Sequence, residues 1–135
     1  KANAVITKGV DSSVHSFEAV DAAKTLVHKY HSLVCISGET DIILTSNQTI
    51  YLKNGHAMMT KVTGLGCTAS ALIAAFIGVI EDKTEAVLSA MSLIGIAGEL
   101  AAQNSAGPGS LQLNIIDNLY SITEEEFIAH LNLAD

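Results

Sequence analysis

Apolar positions recur along this chain with three kinds of spacing, and each spacing predicts a different element. From Ser16 to His31, Phe17, Val20, Ala23, Leu26, Val27 and Tyr30 return every three or four residues, which predicts an amphipathic helix. Asp11, Ser12 and Ser13 precede it as candidate caps, and Glu18 falls in its first turns. Ser32 to Ser37 holds the continuous run Leu33-Val34-Cys35-Ile36, the pattern of a strand covered on both faces. Gly38-Glu39-Thr40-Asp41 then breaks it. Asp41 to Thr45 and Thr49 to Lys53 predict two further strands joined through Ser46-Asn47-Gln48. The alternation in the second suits an antiparallel hairpin at a sheet edge, and Asn54-Gly55 is a turn signal.

Beyond residue 60 the period changes to that of helices. Ala69 to Val79 is apolar nearly all round, which predicts a helix buried in the core. Thr84 to Asn104 predicts a long helix with Thr84 as its cap and Glu85 in its first turn. Ala86, Leu88, Met91, Ile94 and Leu100 supply its apolar positions. Gly95, Ala97, Gly98, Ala101 and Ala102 are small enough to let a neighbour approach closely. Gly107-Pro108-Gly109-Ser110 reads as a rigid loop and Leu111 to Tyr120 as a short helix. Thr123-Glu124-Glu125-Glu126 caps a final one, its carboxylates well placed for the helix dipole. A helix, three strands and then helices suit a three-layer α/β/α sheet whose last strands are antiparallel.

Composition narrows the classes. A chain of 135 residues fits one domain and can bury a core. Nearly half its residues are hydrophobic (49%), only 4% are aromatic, and there is no Trp, as expected for small aliphatic side chains packing helices on a sheet. The net charge is −7 and all seven basic residues are lysines, so nucleic acid is not an expected partner. Two cysteines make no disulfide scaffold, and no Cys/His spacing resembles a zinc site. His15, His28, His31, His56 and His130 are scattered, as surface or loop residues are. No long apolar segment follows Lys1-Ala2-Asn3-Ala4, so no signal peptide is expected, and Ala69 to Ile80 is too short to span a bilayer. A cytoplasmic protein with reduced thiols is the expectation. The start lacks Met, which suits a piece of something longer.

The chemistry concentrates in Val62-Thr63-Gly64-Leu65-Gly66-Cys67-Thr68-Ala69-Ser70, just before the apolar stretch. Two glycines one residue apart allow positive φ and close approach of an anion. The free N–H groups of Gly66, Cys67 and Thr68 are expected at a helix N-terminus, where donors and partial positive charge suit phosphate. A thiol in such a place is drawn toward thiolate. The same residues also suit a plain tight turn with Cys67 as a small buried hydrophobe. The run lacks the Lys-Ser/Thr of a Walker loop and the third Gly of a dinucleotide fingerprint. Both readings stand on the residues alone.

Asn54-Gly55-His56-Ala57-Met58-Met59-Thr60-Lys61-Val62-Thr63-Gly64-Leu65-Gly66-Cys67 resembles the anion-hole region of the hydroxyethylthiazole kinases, in the ribokinase-like superfamily. Lys8-Gly9-Val10-Asp11-Ser12, Ser37-Gly38-Glu39-Thr40-Asp41 and Gly107-Pro108-Gly109-Ser110 agree in order and spacing, so the resemblance runs from about Lys8 to Leu131. Most relatives in the superfamily carry Asp where Cys67 stands. The resemblance implies transfer of the ATP γ-phosphate, with Mg²⁺, to the hydroxyl of 4-methyl-5-(2-hydroxyethyl)thiazole in thiamin biosynthesis. It casts Gly64, Gly66 and Cys67 as the anion hole, Cys67 at the base position and Gly64 near the substrate. Ser37 is cast as an ATP contact, and the loop at Gly107–Ser110 as a wall of the nucleotide site. No metal ligand is assigned.

Leu65, between the glycines, and Leu111 depart from the residues usual in that family. The resemblance covers only a C-terminal, nucleotide-side half of a ribokinase-like domain, residues 1–135 here. That coverage implies a missing N-terminal half, and the resemblance to the family implies a homotrimer. The alternatives are another kinase of the superfamily, of hydroxymethylpyrimidine or pyridoxal type, and a non-catalytic helical interaction module.

Overall fold

A computed structural model describes residues 19–134. The expected Lys8–Ser12 match, the caps at 11–13 and the first turn from Ser16 lie outside the described residues. The elements in order are α1 (Val20–Tyr30), β1 (Val34–Ile36), β2 (Asp41–Leu44), β3 (Thr49–Leu52), a short 3₁₀ helix (Ala57–Lys61), α2 (Leu65–Ile77), α3 (Lys83–Ala102), α4 (Pro108–Ser121), α5 (Glu124–His130) and β4 (Leu133–Ala134).

The strands form one antiparallel sheet in the order β1-β2-β3-β4, with Val34 opposite Leu44, Ile43 opposite Ile50 and Leu52 opposite Leu133. Side chains alternate across it as a pleated strand requires. Ile42, Leu44, Val34, Ile36 and Tyr51 meet Ala23 and Val27 of α1. Ile43, Leu52, Cys35 and Ile50 face the other way and pack with Ala69 of α2 and Val87, Met91 and Ile94 of α3. One helix below and a helical layer above give the three-layer α/β/α arrangement. α4 joins the upper layer where Leu111 and Ile115 pack with Ala101 and Val62.

Several expectations are corrected. The hairpin β2–β3 forms as read, but at the middle of the sheet: β4, too short to leave a pattern, takes the outer edge of β3. Among the described strands β1 takes the other edge, and its residues are half-buried rather than fully covered. α3 is capped by Asp82, whose Oδ1 accepts from Thr84 N–H (2.8 Å) and Glu85 N–H (3.0 Å), not by Thr84. A carboxylate offers a stronger acceptor to two first-turn amides than a hydroxyl does.

Gly107–Ser110 is not a separate loop. It opens α4, with Pro108 in the first turn and Ser110 Oγ accepting from Gly107 N–H at 3.2 Å. Pro at this place loses no hydrogen bond, because first-turn amides have no partner within the helix. Thr123 caps α5 as expected, in a capping box with Glu126.

The largest correction concerns α2. It begins at Leu65, four residues earlier than expected, and among its residues only Ala69 is fully buried. Leu65, Ala69, Leu72 and Ile73 face the sheet and α3, while Ala71, Ala74, Ala75 and Ile77 are exposed. All-round apolarity marks a helix with two covered faces, and within these residues only one is covered. α3 alone is long and apolar enough to cross a membrane among the described helices, but most of it is buried in the protein, as a core helix is.

Candidate functional site

Gly64 is the N-cap of α2, with φ 89° and ψ 1° in the left-handed region. A side chain would be strained there, although the space around it is open. Its carbonyl accepts from Thr68 N–H at 3.1 Å and Thr68 Oγ1 at 3.3 Å, closing the first turn. Glycine brings no capping side chain, so among the described residues no protein group accepts from the N–H groups of Leu65, Gly66 or Cys67. The free donors are thus one residue earlier than the sequence reading had them, because Thr68 N–H is already bonded.

Gly66 has ordinary helical geometry. Its part is room, for nothing lies within 4 Å of where its Cβ would be. Cys67 is exposed on the same turn, which removes the buried-hydrophobe reading of this thiol. Three amides without a protein acceptor among the described residues, beside two glycines with open space around them, form a ledge whose donors and helix dipole suit an anion.

Ser37 follows β1 at its C-terminal end, exposed, on a bend held by Asp41, whose Oδ1 accepts from Gly38 N–H at 2.9 Å. Asp41 is buried, and burial raises its carboxyl to about 6 against the opposing effect of the Gly38 bond. Burial first, and then the Asp41 charge, push the Cys35 thiol up to about 12. Cys35 and Leu65 pack against one core cluster, so the sheet end that carries Ser37 and the first turn of α2 share a support. No hydrogen bond joins Ser37 to residues 64–67 among the described residues.

Leu111, in the first turn of α4, is buried with Val62 and against Leu65, so the start of α4 lies beside the ledge. Two clefts lie elsewhere. One of about 330 Å³ is lined by Lys24, His28 and the β2–β3 loop, and one of about 460 Å³ by Leu33, Cys35, Ile73 and Ile77. Among the described residues no three His, Cys, Asp or Glu side chains come together as metal ligands would.

The residues before the ledge also carry a role that the sequence reading missed. In the sequence Asn54-Gly55 reads as a turn and as the start of the segment that resembles the anion-hole region, with no sign of a clamp. Its partner Glu99 lies 45 positions away and gave no local signal.

The family model described as the hydroxyethylthiazole kinase family matches residues 1–125. The hydroxyethylthiazole kinase of Syntrophus aciditrophicus is 53% identical over 127 residues, covering 94% of this chain and 47% of the relative. That of Vibrio campbellii is 48% identical over the same length and the same shares. The solved hydroxyethylthiazole kinase of Pyrococcus horikoshii superposes with a TM-score of 0.81 at 30% identity, over 87% of this chain and 46% of its own. The chain therefore spans about half the length of the curated relatives it matches. A family match over residues 1–125 and about 50% identity to those relatives show that this chain belongs to the hydroxyethylthiazole kinase family.

Proposed function

We propose that this chain is the nucleotide-side half of a single ribokinase-like domain. The complete enzyme transfers the γ-phosphate of ATP to the primary hydroxyl of 4-methyl-5-(2-hydroxyethyl)thiazole. The observation that carries the reading is the ledge at the start of α2, three N–H groups unpaired among the described residues and flanked by open space at Gly64 and Gly66. In the transition state charge spreads over the oxygens of the transferring group. Fixed amides of Leu65, Gly66 and Cys67 stabilise that charge without reorganising. The substrate oxygen bonds to the γ-phosphorus as the bridge to the β-phosphate breaks, leaving ADP. Cys67 Sγ, at the base position, takes the hydroxyl proton, Gly64 borders the substrate and Ser37 meets the nucleotide.

Mg²⁺ belongs to the proposal for the complete enzyme, where it would neutralise phosphate charge. No ligand to it is assigned in this chain. A homotrimer and a cytoplasmic location extend the family reading in the same way.

The test is turnover by this chain alone and together with the complementary half of the Syntrophus relative. The expected result is activity only in the combination. Cys67→Ala then slows turnover by about 100-fold, the lower end of general-base catalysis, because phosphoryl transfer depends more on positioning. Cys67→Asp stays active, since a carboxylate there takes the same proton. An inactive Asp variant that still binds ATP would refute the assignment. Turnover of a hydroxymethylpyrimidine or pyridoxal in preference to the thiazole would move the substrate to a sister kinase.

A further inference from the structure

Glu99 stands on the face of α3 that meets the connection between β3 and the ledge. Its Oε1 accepts from Gly55 N–H at 2.8 Å and from Asn54 Nδ2 at 3.1 Å, and its Oε2 lies 3.8 Å from His130 Nδ1. Asn54 is buried and fully engaged. Its Nδ2 also donates to His130 O at 2.8 Å, and its Oδ1 accepts from Asn132 N–H at 2.8 Å. Lys53 N–H donates to Asn132 O at 3.0 Å, continuing the β3–β4 pairing. One pair of side chains thus ties together three pieces of chain: the end of β3, α3, and the segment between α5 and β4.

The small residues of α3 make this possible. A Cβ on Gly95 would stand 2.8 to 3.0 Å from Asn54 Cβ, C and O, so α3 touches the Asn54 backbone directly. One turn on, Gly98 leaves the notch that Met59 fills. Met59 in turn accepts from His56 N–H at its sulfur (3.3 Å), and its carbonyl accepts from Val62 N–H at 3.1 Å, two residues before Gly64. Gly55, with φ 136°, turns the chain into this path. From the Glu99 carboxylate to the ledge, each step is a bond or a contact.

We propose that Glu99 is a positioning residue for the phosphate ledge, and that the C-terminal segment around His130–Asn132 completes its clamp. The proposal rests on the phosphate reading only for the consequence at Cys67. The family match ends at residue 125, so the C-terminal half of the clamp lies beyond what that match covers. A carboxylate suits the place because one oxygen receives two donors, and charge assistance strengthens both bonds. Removing it leaves a buried amide short of a partner.

The experiment compares the full chain with Glu99→Ala, Glu99→Gln and Asn132→Pro, reading amide exchange at Met59 and Val62 and the alkylation rate of Cys67 with and without ATP. Cys35, half-buried and held as the thiol, leaves alkylation to report mainly Cys67. In Glu99→Ala, exchange at both amides, neither of which touches Glu99, is expected to speed about tenfold, equivalent to about 1.4 kcal/mol. Protection of Cys67 by ATP is lost. Glu99→Gln keeps an oxygen acceptor and is expected within about twofold of the parent. Asn132→Pro removes the donor to Asn54 Oδ1 without touching Glu99 and moves the same two amides, which keeps the proposal testable if Glu99→Ala does not fold. A Glu99→Ala protein that melts earlier but keeps the parent's exchange and alkylation overturns the proposal. If ATP fails to protect Cys67 even in the parent, the phosphate reading falls, and the exchange arm still decides the role of Glu99.

Discussion

Gly64 and Gly66 stand one residue apart, and replacing each by Ala should move stability in opposite directions. Gly64 sits at φ 89° with nothing within 4 Å of an added Cβ, so Gly64→Ala costs backbone strain alone, about 1–2 kcal/mol. Gly66 is already helical and equally open, so Gly66→Ala gains helix propensity, about 0.5 kcal/mol in a first turn. Thermal and urea unfolding would read these as a fall in Tm on the order of 5 °C and a small rise. Nucleotide binding should follow a different order. The methyl of Gly66→Ala occupies the space an anion needs, so it weakens ATP by at least about tenfold, roughly 1.4 kcal/mol, while stabilising the fold. Equal destabilisation by both variants would refute the backbone assignment. A stabilised Gly66→Ala protein with unchanged ATP affinity would refute the cradle.

Asp41 makes stability depend on pH. Its folded carboxyl titrates near 6 against 3.8 unfolded, so between those values the folded protein holds more protons and stability falls as pH rises. Asp41→Asn keeps an acceptor for Gly38 N–H and should flatten that slope, ending more stable at pH 7 by on the order of 2 kcal/mol; an unchanged slope in urea unfolding from pH 4 to 7 removes Asp41 as the cause. Gly95→Ala meets backbone and should cost more than about 2 kcal/mol. Gly98→Ala meets only the flexible Met59 and should be largely relieved in the Met59→Ala background, which a double-mutant cycle by chemical denaturation would show. Ser92 Oγ is buried without a partner among the described residues, so Ser92→Ala should be neutral or stabilising by about 1 kcal/mol in the same assay; a clear loss would mean that the hydroxyl has a partner.

What the sequence disclosed divides by range of interaction. Local signals were legible: the period of α1, the β2–β3 hairpin, the Thr123 capping box, and the glycine run before an apolar helix. Each depends on residues within a few positions. The errors are of two kinds. Cap choice at Asp82 and the start of α2 turn on which nearby group reaches an amide first, which composition does not decide. The position of β1 at the edge, the pairing of β4 and the clamp of Asn54 by Glu99 depend on partners far along the chain. The exposed face of α2 belongs with these. Its apolar residues read as core, and they are half covered within a chain that spans about half its relatives.

The central claim is that the amides opening α2 receive a phosphate of ATP. An amide-resolved NMR titration of the protein with ATP tests it most directly. A phosphate seated on these amides gives the largest shifts at Leu65, Gly66 and Cys67, reduced in Gly66→Ala. Shifts confined to the cleft at Lys24 and His28, with the start of α2 unmoved, would contradict it.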